Sequence, residues 1–297
     1  MLKEKDQFFL LSGDPGQQGN MKSDYQLVFS DEFNGTKIDS EKWTFADYMS
    51  GSSDLVTLTS SDVAAVIPDP ETSGNGILRL TASKYSDGKY KTTKSITTGQ
   101  TMTFKYGYLE MRAKVPIGMG VWPSFWLKSD TSAGGEALAA KLGYNGNAPY
   151  HTEVDIFEVF GDHLAVPNLH KWWKTEEQRT SSDGLPNAQA GTDRTFDISD
   201  GGWHTYGMLW TVDEISMFVD GICYKTYDLN ANFGNKNIGM EGFQEPLCII
   251  LNNHLITPTC SLPTTNRVQS DFSKAVYDID YIRLYQRPDS SEIFFVK

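Results

Sequence analysis

An all-β domain, a sandwich or a barrel, is the fold class predicted by three features of this 297-residue sequence. Short runs rich in β-branched and aromatic residues recur along the chain. Gly, Asn and Asp turn signals separate them, and no long segment carries convincing helical periodicity. Strands of this kind must bury one face against a second layer, which gives two packed sheets or a closed barrel.

The elements follow in order. Residues 1–23 are polar and rich in Gly, Gln and Lys, and are expected to form a tail. The run 77–82 (Ile-Leu-Arg-Leu-Thr-Ala) follows the turn Ser73-Gly74-Asn75-Gly76 and reads as a strand. Across 109–115, Leu109, Met111, Ala113 and Val115 take one face and Glu110, Arg112 and Lys114 the other, the period of two that a strand imposes. Runs 215–219 and 222–227 flank Asp220-Gly221, a two-residue hairpin signal. Run 247–251 is apolar throughout, and 276–285 alternates again and closes the domain. Residues 135–142 are expected to form a short helix inside a loop. The longest loops, about 129–151 and 174–196, are long enough to be functional. Without an internal repeat or a second compositional zone, one domain is expected over 24–287, with a tail over 288–297.

Composition narrows the partners. With 26 basic and 38 acidic residues the net charge is −12. No basic stripe is present to attract phosphates, which argues against nucleic acid or an anionic membrane and disfavours a strongly sulfated substrate. No run approaches transmembrane length. Cys223, Cys248 and Cys260 cannot all pair within one chain, and none has metal-ligand spacing.

The segment Thr152-Glu153-Val154-Asp155-Ile156-Phe157-Glu158-Val159 sets three carboxylates into a run that otherwise reads as a buried strand. Unpaired charge removed from water is costly. Carboxylates held close and partly desolvated drive one another's pKa values apart, giving an acid and a base at one pH, as glycosidic bond cleavage requires. Residues two apart share a face of a strand, so Glu153 and Asp155 point together, whereas Glu158, five positions on, would point away. One extra residue, a β-bulge around Ile156-Phe157, brings Glu158 back to the face of Glu153. A bulge is expected here.

Further blocks carry a family resemblance. Tyr25-Gln26-Leu27-Val28-Phe29-Ser30-Asp31-Glu32-Phe33-Asn34-Gly35 opens the series. Tyr106-Gly107-Tyr108-Leu109-Glu110-Met111-Arg112-Ala113-Lys114-Val115-Pro116 and Gly120-Val121-Trp122-Pro123-Ser124-Phe125-Trp126-Leu127 follow. Trp203-His204-Thr205-Tyr206-Gly207, Trp210-Thr211, Phe218-Val219-Asp220-Gly221 and Asp280-Tyr281-Ile282-Arg283-Leu284-Tyr285-Gln286 complete it. Together with the acidic strand, this order over residues 25–287 resembles glycoside hydrolase family 16, especially its laminarinase-like members.

The resemblance implies a concanavalin-like β-jelly-roll, two curved antiparallel sheets with a concave substrate cleft, and a retaining endo-mechanism. Glu153 would be the nucleophile, Glu158 the general acid and then base, and Asp155 the helper between them. Substrate-binding positions by the same likeness are Glu110, Arg112, Trp122, Trp126, His170 and Trp172, while Trp203 and Trp210 read as core. No cofactor is implied for catalysis. A structural calcium is implied on the convex side at Glu32, the Gly76 carbonyl and Asp280, hard oxygen donors of the kind calcium takes.

Departures bear on the substrate. Ala148-Pro149-Tyr150-His151-Thr152 precedes the acidic strand, the insertion 129–149 is long, and Asn252-Asn253-His254-Leu255 replaces the Gly-rich turn common in laminarinases. An endo-hydrolase of β-1,3 or mixed β-1,3-1,4 glucans is the first reading. An endo-hydrolase of an agar-type or mucin-type β-galactan is the alternative, and a lectin on the same sandwich is the rival outside enzymes. The partner is a polysaccharide, and a monomer is the default. A polysaccharide substrate places the protein in the secreted or periplasmic space. The apolar patch Phe8-Phe9-Leu10-Leu11 is too short for a signal peptide core, so a trimmed or mis-started N-terminus is expected.

Overall fold

The structure, a computed structural model, describes residues 25–48, 52–129, 151–172, 195–229, 243, 246–261, 266–288 and 292–295. The expected tail 1–23, the helix 135–142 and most of both long loops lie outside the described residues. Nineteen strands and no helix are found among those described. They are β1 (Gln26–Asp31), β2 (Thr44–Ala46), β3 (Leu55–Leu58), β4 (Ala64–Pro68), β5 (Gly76–Lys84), β6 (Tyr90–Thr93), β7 (Ser95–Thr97), β8 (Met102–Lys105), β9 (Gly107–Lys114) and β10 (Val121–Ser129). Then come β11 (His151–Glu158), β12 (Leu164–Trp172), β13 (Phe196–Asp197), β14 (Trp203–Trp210), β15 (Glu214–Val219), β16 (Ile222–Asp228), β17 (Leu247–Leu255), β18 (Lys274–Gln286) and β19 (Glu292–Phe295).

Ten strands form one sheet, in the order β16-β15-β14-β9-β18-β5-β6-β3 with β1 on β18 and β4 on β5. The other nine form the second, β13-β12-β11-β10-β17-β7-β2, with β8 on β17 and β19 on β8. All pairings are antiparallel except β3 with β6. The β15–β16 hairpin turns on Asp220-Gly221 with φ of 49° and 76°, the two positive values its tight turn needs. Within the expected tail 288–297, Glu292–Phe295 pairs with β8 as a strand.

The core lies between the sheets. Leu109, Met111 and Ala113 point inward from β9, Phe125 and Leu127 from β10, and Leu247, Ile249 and Leu251 from β17, all fully buried. The unbroken apolar run 247–251 has its explanation in its position: Cys248 and Ile250 on the other face of β17 pack against Trp126 in a second small cluster. Trp210 is core as expected. Trp203 is not. It stands on the outer face of the ten-stranded sheet beneath the Arg112 guanidinium, 4.7 Å from its ring centre, and donates to Glu71 at 2.8 Å.

The acidic strand β11 carries the bulge that its spacing demands. Against β10, Phe125 faces Phe157 and the next residue, Trp126, faces Asp155, so one step on β10 spans two on β11. Against β12, Asp155 faces Asn168 and Glu158 faces Val166, three steps against two. The two residues inside the irregularity, Ile156 and Phe157, both turn into the core. Phe157 packs its ring 4.4 Å from that of Tyr206, with Tyr277 and Phe125 further out. The Ile156 carbonyl accepts a hydrogen bond from the Tyr224 hydroxyl of the opposite sheet at 3.2 Å, which satisfies a group left off the strand ladder. Past the bulge, Gly161 (φ 71°) closes on Asn266 and Gly120 (φ 72°) on Val268, so tightly that a Cβ at either position would collide with backbone atoms.

Burying both bulge side chains holds the carboxylates on either side of them outward. Phe157→Ala is expected to destabilise the fold by about 3–5 kcal/mol in equilibrium denaturation. A loss below about 1 kcal/mol would mean that the bulge is not anchored by this ring.

Candidate active site

Along the outer face of the nine-stranded sheet, neighbouring strands stack their side chains in register. Lys128, Glu153 and His170 make one rung, Trp126, Asp155 and Asn168 the next, and Ser124, Glu158 and Val166 the third. On the far side of β10, the partners of Lys128, Trp126, Ser124 and Trp122 are Cys248, Ile250, Asn252 and His254. The three carboxylates of β11 therefore share one face, with aromatic rings on one flank and a histidine on the other.

Their environments differ. Asp155 is 2% exposed, and burial alone pushes its carboxyl up to about 8. Glu158 is pushed up to about 8 as well, first by burial and then by Asp155, while His170 and the indole N–H of Trp122 act in the opposite direction. That N–H donates to Glu158 Oε1 at 2.8 Å. The two carboxyls titrate as a coupled pair, and at neutral pH the pair holds protons. His170 Nε2 lies 3.1 Å from Asp155 Oδ2 and 4.0 Å from Glu153 Oε1. The nearer contact is out of line for a hydrogen bond, a looseness common in catalytic groups before substrate arrives. Glu153, Asp155 and His170 bring one donor atom each within 4.8 Å of one another, the set among the described residues that could take a divalent cation.

The predicted residues divide. Trp122, Trp126 and His170 all join the carboxylates. Trp126 is only 6% exposed, donates to Asn252 Oδ1 at 2.8 Å and meets Tyr48 edge-on, so it floors the cleft and offers no open platform. Trp172 ends β12 opposite His151, and its side chain lies outside the described residues. Glu110 and Arg112 do not reach the cleft. They lie on β9 in the other sheet, on the face opposite the inward-pointing Leu109, Met111 and Ala113. Glu110 accepts from the Tyr108 and Tyr281 hydroxyls at 2.9 and 2.8 Å, and Arg112 pairs with Asp280 at 2.6 Å. Strand alternation separated their face from Leu109 correctly but could not say which sheet it belonged to.

The calcium donors do not fit that ion either. Both Glu32 oxygens accept from the Arg283 guanidinium, at 2.9 and 2.7 Å. Asp280 accepts from Arg112 and, at 2.8 Å, from the Asn75 amide. The charge that would draw a cation is already answered by two arginines. Missed by sequence reasoning were Lys128, whose ammonium lies 4.8 Å from the Tyr48 ring centre, and the polar row Asn252 and His254. Alternation along β17, which puts Asn252 and His254 on the face opposite Leu251, was the signal for the latter.

Residues 25–287 match the family model for the GH16 domain of β-porphyranases A–D. The chain belongs to this group of glycoside hydrolase family 16. Glucan endo-1,3-beta-glucosidase A1 of Niallia circulans is 26% identical over 293 residues, covering 88% of this chain and 38% of that protein. Keratan-sulfate endo-1,4-beta-galactosidase of Sphingobacterium multivorum is 24% identical over 276 residues, covering 90% of this chain and 56% of that protein. The chain thus spans well under two thirds of either relative. The laminarinase structure from Rhodothermus marinus superposes with a TM-score of 0.63 at 23% identity, covering 88% of this chain and 97% of that one. The GH16 jelly-roll is the fold.

Asp155→Asn removes the like charge that raises Glu158 and leaves the burial. The basic limb of the activity profile, near pH 8 in the wild type, is expected to move to lower pH in this variant. An unmoved limb would show that Asp155 does not couple to Glu158.

Proposed function

We propose that the chain is an endo-hydrolase of β-1,3 or mixed β-1,3-1,4 glucans, with Glu153 as nucleophile, Glu158 as general acid and then base, and Asp155 as helper. The observation that carries the roles is the bulged strand, which presents all three carboxylates to one face, with the pKa of Glu158 raised there by burial and by Asp155. In the first step the Glu158 proton passes to the departing glycosidic oxygen. The Glu153 carboxylate bonds to the anomeric carbon as the C–O bond breaks. In the second step Glu158, now a carboxylate, takes a proton from water, whose oxygen displaces Glu153 and releases the sugar with its original configuration. His170 lies beside both Glu153 and Asp155, 4.0 and 3.1 Å from their oxygens, where it orients the pair. The names of the glucanase relatives support the substrate. No step passes through calcium.

A second substrate reading, a β-galactan, is favoured by the family model for β-porphyranases and by the keratan-sulfate endo-1,4-beta-galactosidase relative. A lectin would need the aromatic cleft but none of the three acids. Substrates of this size lie outside the cell, so secretion or a periplasmic location goes with the proposal. One chain carries the whole carboxylate set, and a monomer suffices.

Product analysis on laminarin, mixed-linkage glucan, agarose, porphyran, keratan sulfate and mucin tests it. Oligosaccharides from the glucans, with the β-anomer appearing first in proton NMR, are the expected result. Glu158→Gln is expected to lower turnover by about 10²–10⁴-fold while binding persists. Products from the galactans alone would replace the substrate. No products at all would overturn the enzyme reading.

A further inference from the structure

The segment Asn252-Asn253-His254 stands where a Gly-rich turn is common in laminarinases, and all three side chains are buried. Asn253 turns inward and donates to the carbonyls of Leu80 and Ala275, joining the two sheets. Asn252 and His254 turn the other way, each beside an indole of β10. Asn252 receives the Trp126 N–H and is itself held by a hydrogen bond to Ser95 Oγ at 2.8 Å. His254 lies directly across from Trp122, ring centres 5.5 Å apart and planes at 83°, in edge-to-face contact. The Phe160 ring also packs on the indole, 5.7 Å between centres and tilted by 41°. Trp122 is thus packed against two rings, with its N–H on Glu158.

We propose that His254 is a positioning residue for the acid/base carboxyl, acting through Trp122: its ring fixes the indole so that the N–H stays on Glu158 Oε1. This rests on Glu158 being the acid/base of the proposed reaction. His254 is 3% exposed, so its ring is held in place beside the indole. Its edge-to-face contact with Trp122 favours one geometry over others. Burial pushes its pKa down to about 4, so the imidazole is uncharged where the carboxyls work and adds no charge of its own beside them. The groups acting on Glu158 are Asp155 on its own strand, His170 on β12 and the Trp122 N–H on β10. Of these, the N–H is the one that His254 controls.

His254→Ala opens space behind the indole and lets the N–H leave Glu158. Because that bond favours the ionised carboxyl, its loss raises the Glu158 pKa. On whichever polysaccharide the wild type cuts, His254→Ala is expected to lower kcat about tenfold, part of the 10²–10⁴-fold that general acid–base catalysis supplies. KM should change less, and the basic limb of the profile should move upward. His254→Phe keeps a ring edge on the indole and should restore most of both. Trp122→Phe should reproduce the shift, and adding His254→Ala to it should cost little more. Full additivity of the two losses, or an unmoved basic limb in His254→Ala, would overturn the proposal. A second arm needs no turnover: the ¹³C carboxyl titration of Glu158 in the Glu153→Gln protein, with and without His254→Ala. An upward shift supports the positioning role and an unchanged titration overturns it, even if no polysaccharide in the panel is cut and the proposed function itself fails.

Discussion

Two side chains that a regular strand would send to opposite faces, Ile156 and Phe157, are buried together in the same core. The site depends on that. Each contributes about 1.5–3 kcal/mol by leaving water, and the cost of the interrupted ladder is partly offset by the Tyr224 hydroxyl on the Ile156 carbonyl. With both pinned inward, Asp155 and Glu158 on either side have no choice of face. A register slip of one residue would exchange the carboxylates for apolar side chains along the cleft, so the hydrophobic core and the placement of the three carboxylates enforce each other.

The same sheet then divides the labour among chemically identical groups. Burial, with few polar partners, raises the pKa values of Asp155 and Glu158, while the indole N–H of Trp122 and the neighbouring His170 limit how far Glu158 rises. On the opposite sheet, acidic residues are handled in the other way. Glu32, Asp278 and Asp280 each meet an arginine, and Glu110 meets two tyrosine hydroxyls. Arginines answer three of these carboxylates, and Glu110, raised by burial like the cleft pair, is held by tyrosine hydroxyls instead. That contrast separates the two faces of the molecule more clearly than composition does.

Much of this was legible in the sequence. Alternation in 109–115, the Asp220-Gly221 turn and the spacing from Glu153 to Glu158 report local geometry, and local geometry decides a strand's faces, a hairpin and a bulge. The all-β class follows from the same signals. What a strand pattern lacks is the identity of the layer beyond it. Glu110 and Arg112 were therefore placed in the cleft although their face looks away from it, and Trp203 was taken as core. The arginines on Glu32 and Asp280 come from positions as far as 251 residues away in sequence, a long-range pairing no local window contains. The role of Asn252 and His254 was hidden for a milder reason: a polar residue after an apolar strand reads as a turn until its neighbours across the sheet are known.

The most direct measurement is the identification of the covalent intermediate by mass spectrometry after treatment with an activated 2-deoxy-2-fluoro glycoside of the sugar the enzyme cuts. A glycosyl group on Glu153, within the peptide carrying Glu153, Asp155 and Glu158, is the expected result. Label on Asp155 or Glu158, or rapid turnover with inverted product and no label at all, would contradict the assignment of the bulged strand as a retaining catalytic centre.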